Sequence, residues 1–181
     1  MSDSRQTKEK HSHDGRRAAR TEAGGAVMAL SDFLPYQLAV AAEAVSRCVA
    51  DVYTDEFDLA RDEWRVLAAL GETGEMNTKA AQLQTTLDKV QASRAIARLE
   101  RKDLLTRHED PEDRRNHVLR LTRAGRALYR RLVPRVLTIE QRLLTVLNSG
   151  ERAALDRAMT KLLACAAEIR RDHERDQASA G

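Results

Sequence analysis

Apolar residues recur at helical spacing along most of this chain, and that period breaks only once. Two short alternating runs, Leu104 to His108 and His117 to Leu121, flank the polar stretch from Glu109 to Asn116. A period of two on either side of a segment rich in Asp and Pro predicts a β-hairpin with a charged tip. With three Pro and eight Gly, the composition favours helices over a sandwich or barrel. His117, Leu119 and Leu121 alternate onto one face, and His108 is expected to face His117 across the hairpin.

The helical stripes give the rest of the order. Leu38, Ala41, Ala42, Val45, Cys48, Val49 and Val52 predict a first helix from Pro35 to about Phe57. A second runs from about Ala60 to Leu70, with Trp64, Leu67 and Ala68 on one side and Gly71 and Gly74 ending it. Asn77 suits the N-cap of a short helix to Gln84, whose apolar set (Ala80, Ala81, Leu83) is the weakest in the chain. Thr85 to Asp88 reads as a turn. Asp88 with Gln91 three residues on has capping-box spacing and opens a helix to about Lys102.

After the hairpin, Thr122 caps a helix to about Leu147, striped by Leu128, Leu132, Val136, Ile139, Leu143 and Val146 and interrupted by Pro134, which is expected to kink it. At 1.5 Å per residue, about 25 residues span roughly 37 Å, more than a small domain needs. Ser149 is expected to cap a last helix, from Glu151 to about Arg171, striped by Leu155, Met159, Leu162, Ala166 and Ile169. Residues 1–30 are expected to be a disordered basic tail and residues 173–181 a second disordered tail. The fold class is therefore mainly α with a small β-wing. A winged helix-turn-helix over 59–122 is flanked by long N- and C-terminal helices over 31–58 and 123–172. Those flanking stripes offer more apolar surface than one small winged unit can cover, which points to a dimer.

Charge agrees with a nucleic-acid partner. The whole chain carries only +3, yet between Thr78 and Arg131 it has 14 Lys and Arg against 7 Asp and Glu. A basic segment in an otherwise mildly acidic chain is the footprint of a polyanion-facing surface, although a solvated helix face has the same composition. On the helix after Asp88, Ala92, Ala95, Ile96 and Leu99 share one face at 100° per residue. Val90, Arg94, Ala97 and Arg101 lie opposite, with Gln91, Ser93 and Arg98 at the flanks. Val can touch a thymine methyl while Arg94 and Gln91 reach base edges; a cationic solvated face with one stray Val is the plain alternative. The hairpin tip carries Asp110, Glu112, Asp113, Arg114 and Arg115. Calcium-loop spacing and its Gly are absent, so the tip reads as a wing. Its Arg would enter the negative minor groove, with Asp113 positioning a guanidinium.

Other classes find little support. No apolar run reaches the roughly 20 residues of a membrane span, and no secretory h-region is visible, so a cytoplasmic protein is expected. Two Cys are too few for a disulfide framework or a zinc site. No Gly-rich phosphate loop, Ser-His-Asp order or metal-ligand cluster suggests catalysis or a cofactor. His11 and His13 read as solvated tail residues.

Several motifs stand at a specific spacing. These are Asp88-Lys89-Val90-Gln91-Ala92-Ser93-Arg94, then Leu99-Glu100-Arg101-Lys102-Asp103-Leu104-Leu105-Thr106-Arg107, then Asp110 to Arg115, then Leu119-Arg120-Leu121-Thr122-Arg123-Ala124-Gly125, with Trp64-Arg65-Val66-Leu67-Ala68 upstream. With them the chain resembles the MarR family of bacterial transcription regulators, from about Phe33 to Ile169. The resemblance implies an obligate homodimer whose first and last two helices interlock, with a winged helix in each subunit. It places Ser93 and Arg94 on the recognition helix and Asp113, Arg114 and Arg115 on the wing. Ala81 and Asp103 depart from the family, which often has a bulky apolar residue and a Gly there.

On these grounds the expected function is sequence-specific binding of double-stranded DNA by a homodimeric, nucleoid-associated regulator. It would be a repressor on a pseudo-palindromic operator, relieved by a small ligand. The DNA-binding candidates are Lys89, Val90, Gln91, Ser93, Arg94, Arg98, Asp113, Arg114 and Arg115. Many relatives are released by phenolic, aromatic-acid or thioester ligands bound between the dimer helices and the winged unit; Tyr36, Arg47 and Trp64 are the candidates here, with Arg47 meeting an anion. Two alternatives remain open at this point. One is a redox sensor acting through Cys48, although Cys48 and Cys165 read as small packed hydrophobes. The other is a helical interaction module whose basic helix docks an acidic protein.

Overall fold

A computed structural model describes residues 21–22, 25–26, 28–109 and 117–179. The chain divides into two compact units, residues 1–44 and 45–181. In the first, strands β1 (Thr21–Glu22) and β2 (Gly25–Ala26) pair antiparallel. A 3-10 turn, Leu30–Asp32, precedes helix α1 (Leu34–Asp55). The Gln37 amide donates to the Ser31 carbonyl at 2.7 Å and fastens that turn to the first turn of α1.

The second unit holds the winged architecture. Helix α2 (Arg61–Thr73) leads through strand β3 (Glu75–Asn77) into α3 (Thr78–Thr85) and α4 (Lys89–Arg101). Strands β4 (Leu105–Glu109) and β5 (His117–Leu121) follow, then α5 (Arg123–Leu144) and α6 (Ser149–Ser179). The sheet order is β3-β5-β4, antiparallel throughout. Strand β3 escapes the sequence because three residues carry no period; Met76 opposite Leu119 is its one buried contribution. In the hairpin, Leu105 stands opposite Leu121, both buried, and this sets the register. His108 therefore faces Val118, and His117 faces Glu109; the two histidines are not a cross-strand pair.

Local chemistry starts and stops the helices as capping rules require. Asn77 Oδ1 accepts the Ala80 N–H at 2.8 Å, and Asp88 and Gln91 form a reciprocal capping box. Thr122 Oγ1 accepts the Gly125 N–H at 2.9 Å. At α6 the box is closed by Asn148 and Glu151, at 2.8 and 3.0 Å, so the cap is Asn148 rather than Ser149. Helix α5 runs through Pro134 and ends at Leu144, three residues short of Leu147. Helix α6 continues to Ser179, eight residues past Arg171.

Gly74, not Gly71, ends α2, at φ 82°. Gly71 lies inside the helix, where a Cβ would meet the Tyr129 ring of α5 at 2.2 Å. Helix α4 stops in a Schellman motif. The Leu104 N–H donates to Leu99 O at 2.9 Å and the Asp103 N–H to Glu100 O at 3.0 Å, with Asp103 at φ 54°. Asp103 thus occupies the left-handed position that a Gly would fill without strain.

The core lies between α2, α4, α5 and the sheet. Val66, Leu67, Leu70, Ile96, Leu99, Leu119 and Leu132 are fully buried, and each contributes about 1.5–3 kcal/mol of transfer free energy. On α2 the core face is Val66, Leu67 and Leu70; Trp64 and Ala68 turn to one side and line a cleft. On α3 only Ala81 and Thr85 are buried, and Leu83 is 75% exposed. No helix among the described residues is long and apolar enough to cross a membrane.

Candidate nucleic-acid interface

Helix α4 is held from behind. Ala92, Ala95, Ile96 and Leu99 are completely buried, so the opposite face is fixed in orientation by the core. That face presents Lys89, Val90, Ser93, Arg94 and Ala97 to solvent, with Val90 56% exposed. Its first turn is rigid because Asp88 accepts the Gln91 N–H at 2.8 Å and Gln91 Oε1 accepts the Asp88 N–H at 3.2 Å. Gln91 thus uses its side-chain oxygen at the cap, leaving its amide NH₂ for an outside partner. A helix with a cemented apolar back, a preorganised N-terminus and an outward Lys–Val–Ser–Arg row has the form needed to read a major groove.

Arg98 does something else. Its Nε donates to Glu63 Oε1 at 2.8 Å, and Lys102 Nζ lies 3.1 Å from Glu63 Oε2. The Glu63 side chain is only 2% exposed and also accepts the Ala60 N–H at 2.8 Å, at the start of α2. Burial pushes the Glu63 carboxyl up, but the Ala60 N–H, Lys102 and Arg98 together outweigh it and hold the group below its usual range. Lys102 also donates to the Asp58 carbonyl. This network ties the last turn of α4 to the first turn of α2, and Arg98 commits its Nε to it while its side chain stays partly exposed.

The stalk of the wing is similarly tied. Arg120 pairs with Glu75 at 2.6 Å across β5 and β3, and Arg107 with Glu100 at 3.0 Å. Asp113, Arg114 and Arg115, the expected wing-tip residues, lie outside the described residues. At its base the hairpin is locked by Thr122, whose Oγ1 donates to Asp103 O at 2.7 Å and whose N–H donates to Leu104 O at 3.1 Å.

Behind the α3–α4 turn, a cleft of about 510 Å³ opens between α2, that turn and α5. Trp64, Arg65, Ala68, Glu72, Tyr129 and Val136 are among its walls. Trp64 is the one expected effector residue found there. Arg47 is exposed on α1 and is not part of the lining; Tyr36 is exposed on the part of α1 that belongs to the first unit. The cation in the cleft is Arg65, whose Nη1 lies 3.2 Å from Thr86 Oγ1 and 3.4 Å from the Thr85 carbonyl. Arg65 adjoins Trp64 in sequence, and the turn of α2 away from the expected face is what brings both to the cleft. Cys48 and Cys165 are in no disulfide among the described residues, and both are exposed rather than packed as small hydrophobes.

The family profile described as the MarR family matches residues 57–116. The chain is 29% identical over 97 residues to the HTH-type transcriptional repressor NicR of Pseudomonas putida, a match spanning 54% of this chain and 61% of that relative. Among solved structures, BpsR of Bordetella bronchiseptica superposes with a TM-score of 0.67 at 28% identity, over 75% of this chain and 96% of BpsR. A MarR/EmrR family regulator from Acinetobacter sp. ADP1 gives 0.71 at 23% identity, over 78% of this chain and 99% of that one. With the helix order, the three-stranded wing sheet and the α4 face already described, these matches show a winged helix fold and a chain similar to the MarR family.

Proposed function

We propose that this chain is a homodimeric transcriptional repressor that reads a pseudo-palindromic duplex DNA and is released by a small aromatic acid. The observation that carries the reading is the α4 face, with its apolar back fully buried and Lys89, Val90, Ser93 and Arg94 turned outward. Arg94 and the free amide of Gln91 would reach base edges, Val90 a thymine methyl, and Lys89 and Ser93 phosphates. Asp113, Arg114 and Arg115 would serve the minor groove from the wing tip. Such a regulator works on the chromosome in the cytoplasm.

A second copy of the chain is the partner that fits the exposed helices. None of the 31 residues of α6 is buried, and Leu155, Met159, Leu162, Leu163 and Ile169 are 40–67% exposed along it. An apolar stripe of that length left in water is a large cost that a two-fold interface removes. Residues 31–58 and 123–172 would supply that interface and residues 59–122 the DNA-binding unit.

The effector reading rests on the cleft. Trp64 and Tyr129 offer aromatic walls and Arg65 a guanidinium, the complement of a planar ring bearing a carboxylate. The DNA binding of BpsR is regulated by 6-hydroxynicotinic acid, a molecule of this class. The test is selection of duplexes from a random pool by the purified protein, followed by binding titrations at several salt concentrations. A consensus with two inverted half-sites and a steep fall of affinity with salt is expected. Recovery of no consensus would reject the reading.

A further inference from the structure

The turn between α3 and α4 contains a residue in an unfavourable conformation. Thr86 has φ 57° and ψ 23°, the left-handed region. A β-branched side chain is rarely found there, because its Cβ substituents crowd the backbone. Such a conformation persists only where neighbours over-determine it. Two contacts from α2 reach this turn. Arg65 Nη1 is 3.2 Å from Thr86 Oγ1 and 3.4 Å from the Thr85 carbonyl. About two helical turns further along α2, Glu72 Oε2 accepts from Gln84 Nε2 of α3 at 3.4 Å. Both contacts bridge the cleft lined by Trp64 and Tyr129. Two residues beyond Thr86 stands Asp88, the cap that sets the start of α4.

We propose that Arg65 is a latch that keeps the α3–α4 turn in its left-handed form, and that a carboxylate entering the cleft releases α4 by taking this guanidinium. The inference rests on the effector reading of the cleft. Its physical basis is competition. Latched, Arg65 makes two long hydrogen bonds to neutral oxygens. Unlatched, it can give a bidentate, charge-assisted pair to a carboxylate, which is the stronger interaction. The ligand therefore binds the unlatched state more tightly, and this differential affinity is what a ligand needs to shift a conformational equilibrium. Once Arg65 is withdrawn, Thr86 can leave the left-handed region. The Asp88 cap and the reading face of α4 then move away from the angle that the Glu63 network maintains at the other end of the helix.

The test separates the latch from the cleft. Duplex selected by the wild-type protein is titrated with wild type, Arg65→Ala, Thr86→Gly and the double variant, with and without 6-hydroxynicotinic acid. Its neutral amide is the control. Trp64 is the only tryptophan in the chain, so its fluorescence reports occupancy of the cleft. Without ligand, Arg65→Ala is expected to bind DNA about tenfold more weakly. Thr86→Gly is expected to bind like wild type, because Gly adopts the left-handed form without a latch. The double variant is expected to recover most of the tenfold loss. With the acid, wild type releases DNA, whereas Thr86→Gly quenches Trp64 and stays bound. Failure of the double variant to recover, or release of Thr86→Gly like wild type, would overturn the latch even if the acid quenches Trp64. Absence of quenching in wild type would instead reject the cleft as the site for this acid, and the ligand-free arm would still decide the latch.

Discussion

Gly125 sits so close to Leu104 that a Cβ on the glycine would stand 2.0 Å from the Leu104 carbonyl oxygen. That carbonyl also accepts the Thr122 N–H, so the start of α5 and the residue just before β4 meet backbone to backbone at the root of the wing. Backbone cannot yield as a side-chain tip can. Gly125→Ala should therefore cost about 3 kcal/mol, the upper end of overpacking penalties, and lower Tm by about 6–12 °C. Thermal unfolding followed by circular dichroism checks this; a variant as stable as wild type would show that the wing root has slack.

Glu63 predicts an acid limit to stability. Its carboxyl is held below the usual 4.5 in the folded chain and returns to 4.5 on unfolding. The sign is that of a depressed carboxylate: the stabilisation is fully present above 4.5 and disappears as pH falls through the lower folded value. Glu63→Gln should be less stable at neutral pH by about 1.5–3 kcal/mol, the range for hydrogen bonds to charged groups. It should also lose less stability than wild type on acidification below 4.5. Urea titrations across that range provide the readout, and parallel pH profiles would contradict the assignment.

Asp103 offers the opposite experiment. It holds the left-handed position of the Schellman motif at φ 54°, and no side-chain partner of it is seen among the described contacts. Asp103→Gly should stabilise the chain by about 0.5 kcal/mol, since relief of left-handed strain exceeds the extra entropy of an unfolded Gly. A loss of stability in urea would mean that the aspartate side chain contributes something else.

Arg94 separates reading from mere attraction. Arg94→Ala should weaken binding to the selected duplex by about 1–3 kcal/mol and relax preference at one base pair of each half-site. Binding to random duplex should fall far less. Equal losses on both, measured by anisotropy at one salt concentration, would assign Arg94 to the phosphates.

Much of this was legible where the cause is local. Asn77, Asp88 with Gln91, and Thr122 announce their helices because a cap needs only a side chain and a backbone N–H three residues on. The buried face of α4 follows from Ala92, Ala95, Ile96 and Leu99 at helical spacing. Contacts across long separations were not legible. A helical wheel leaves Arg98 on the flank of the reading face because Glu63, its partner, lies 35 residues away. The facing pair His108 and His117 fails by one residue, because Leu105 and Leu121 set the register. Arg65 goes unnoticed for the same reason: its partners Thr85 and Thr86 are 20 and 21 residues distant, and the packing of α2 against α3 brings them together.

The central claim is that two copies of the chain present their α4 helices to successive major grooves on one face of B-form duplex. Hydroxyl-radical footprinting of the wild-type complex on a selected duplex tests it most directly, with stoichiometry from the same titration. Two copies per duplex are predicted, with two protected patches related by a dyad and centred about 10 bp apart, one helical turn. A single asymmetric patch made by one copy would contradict it.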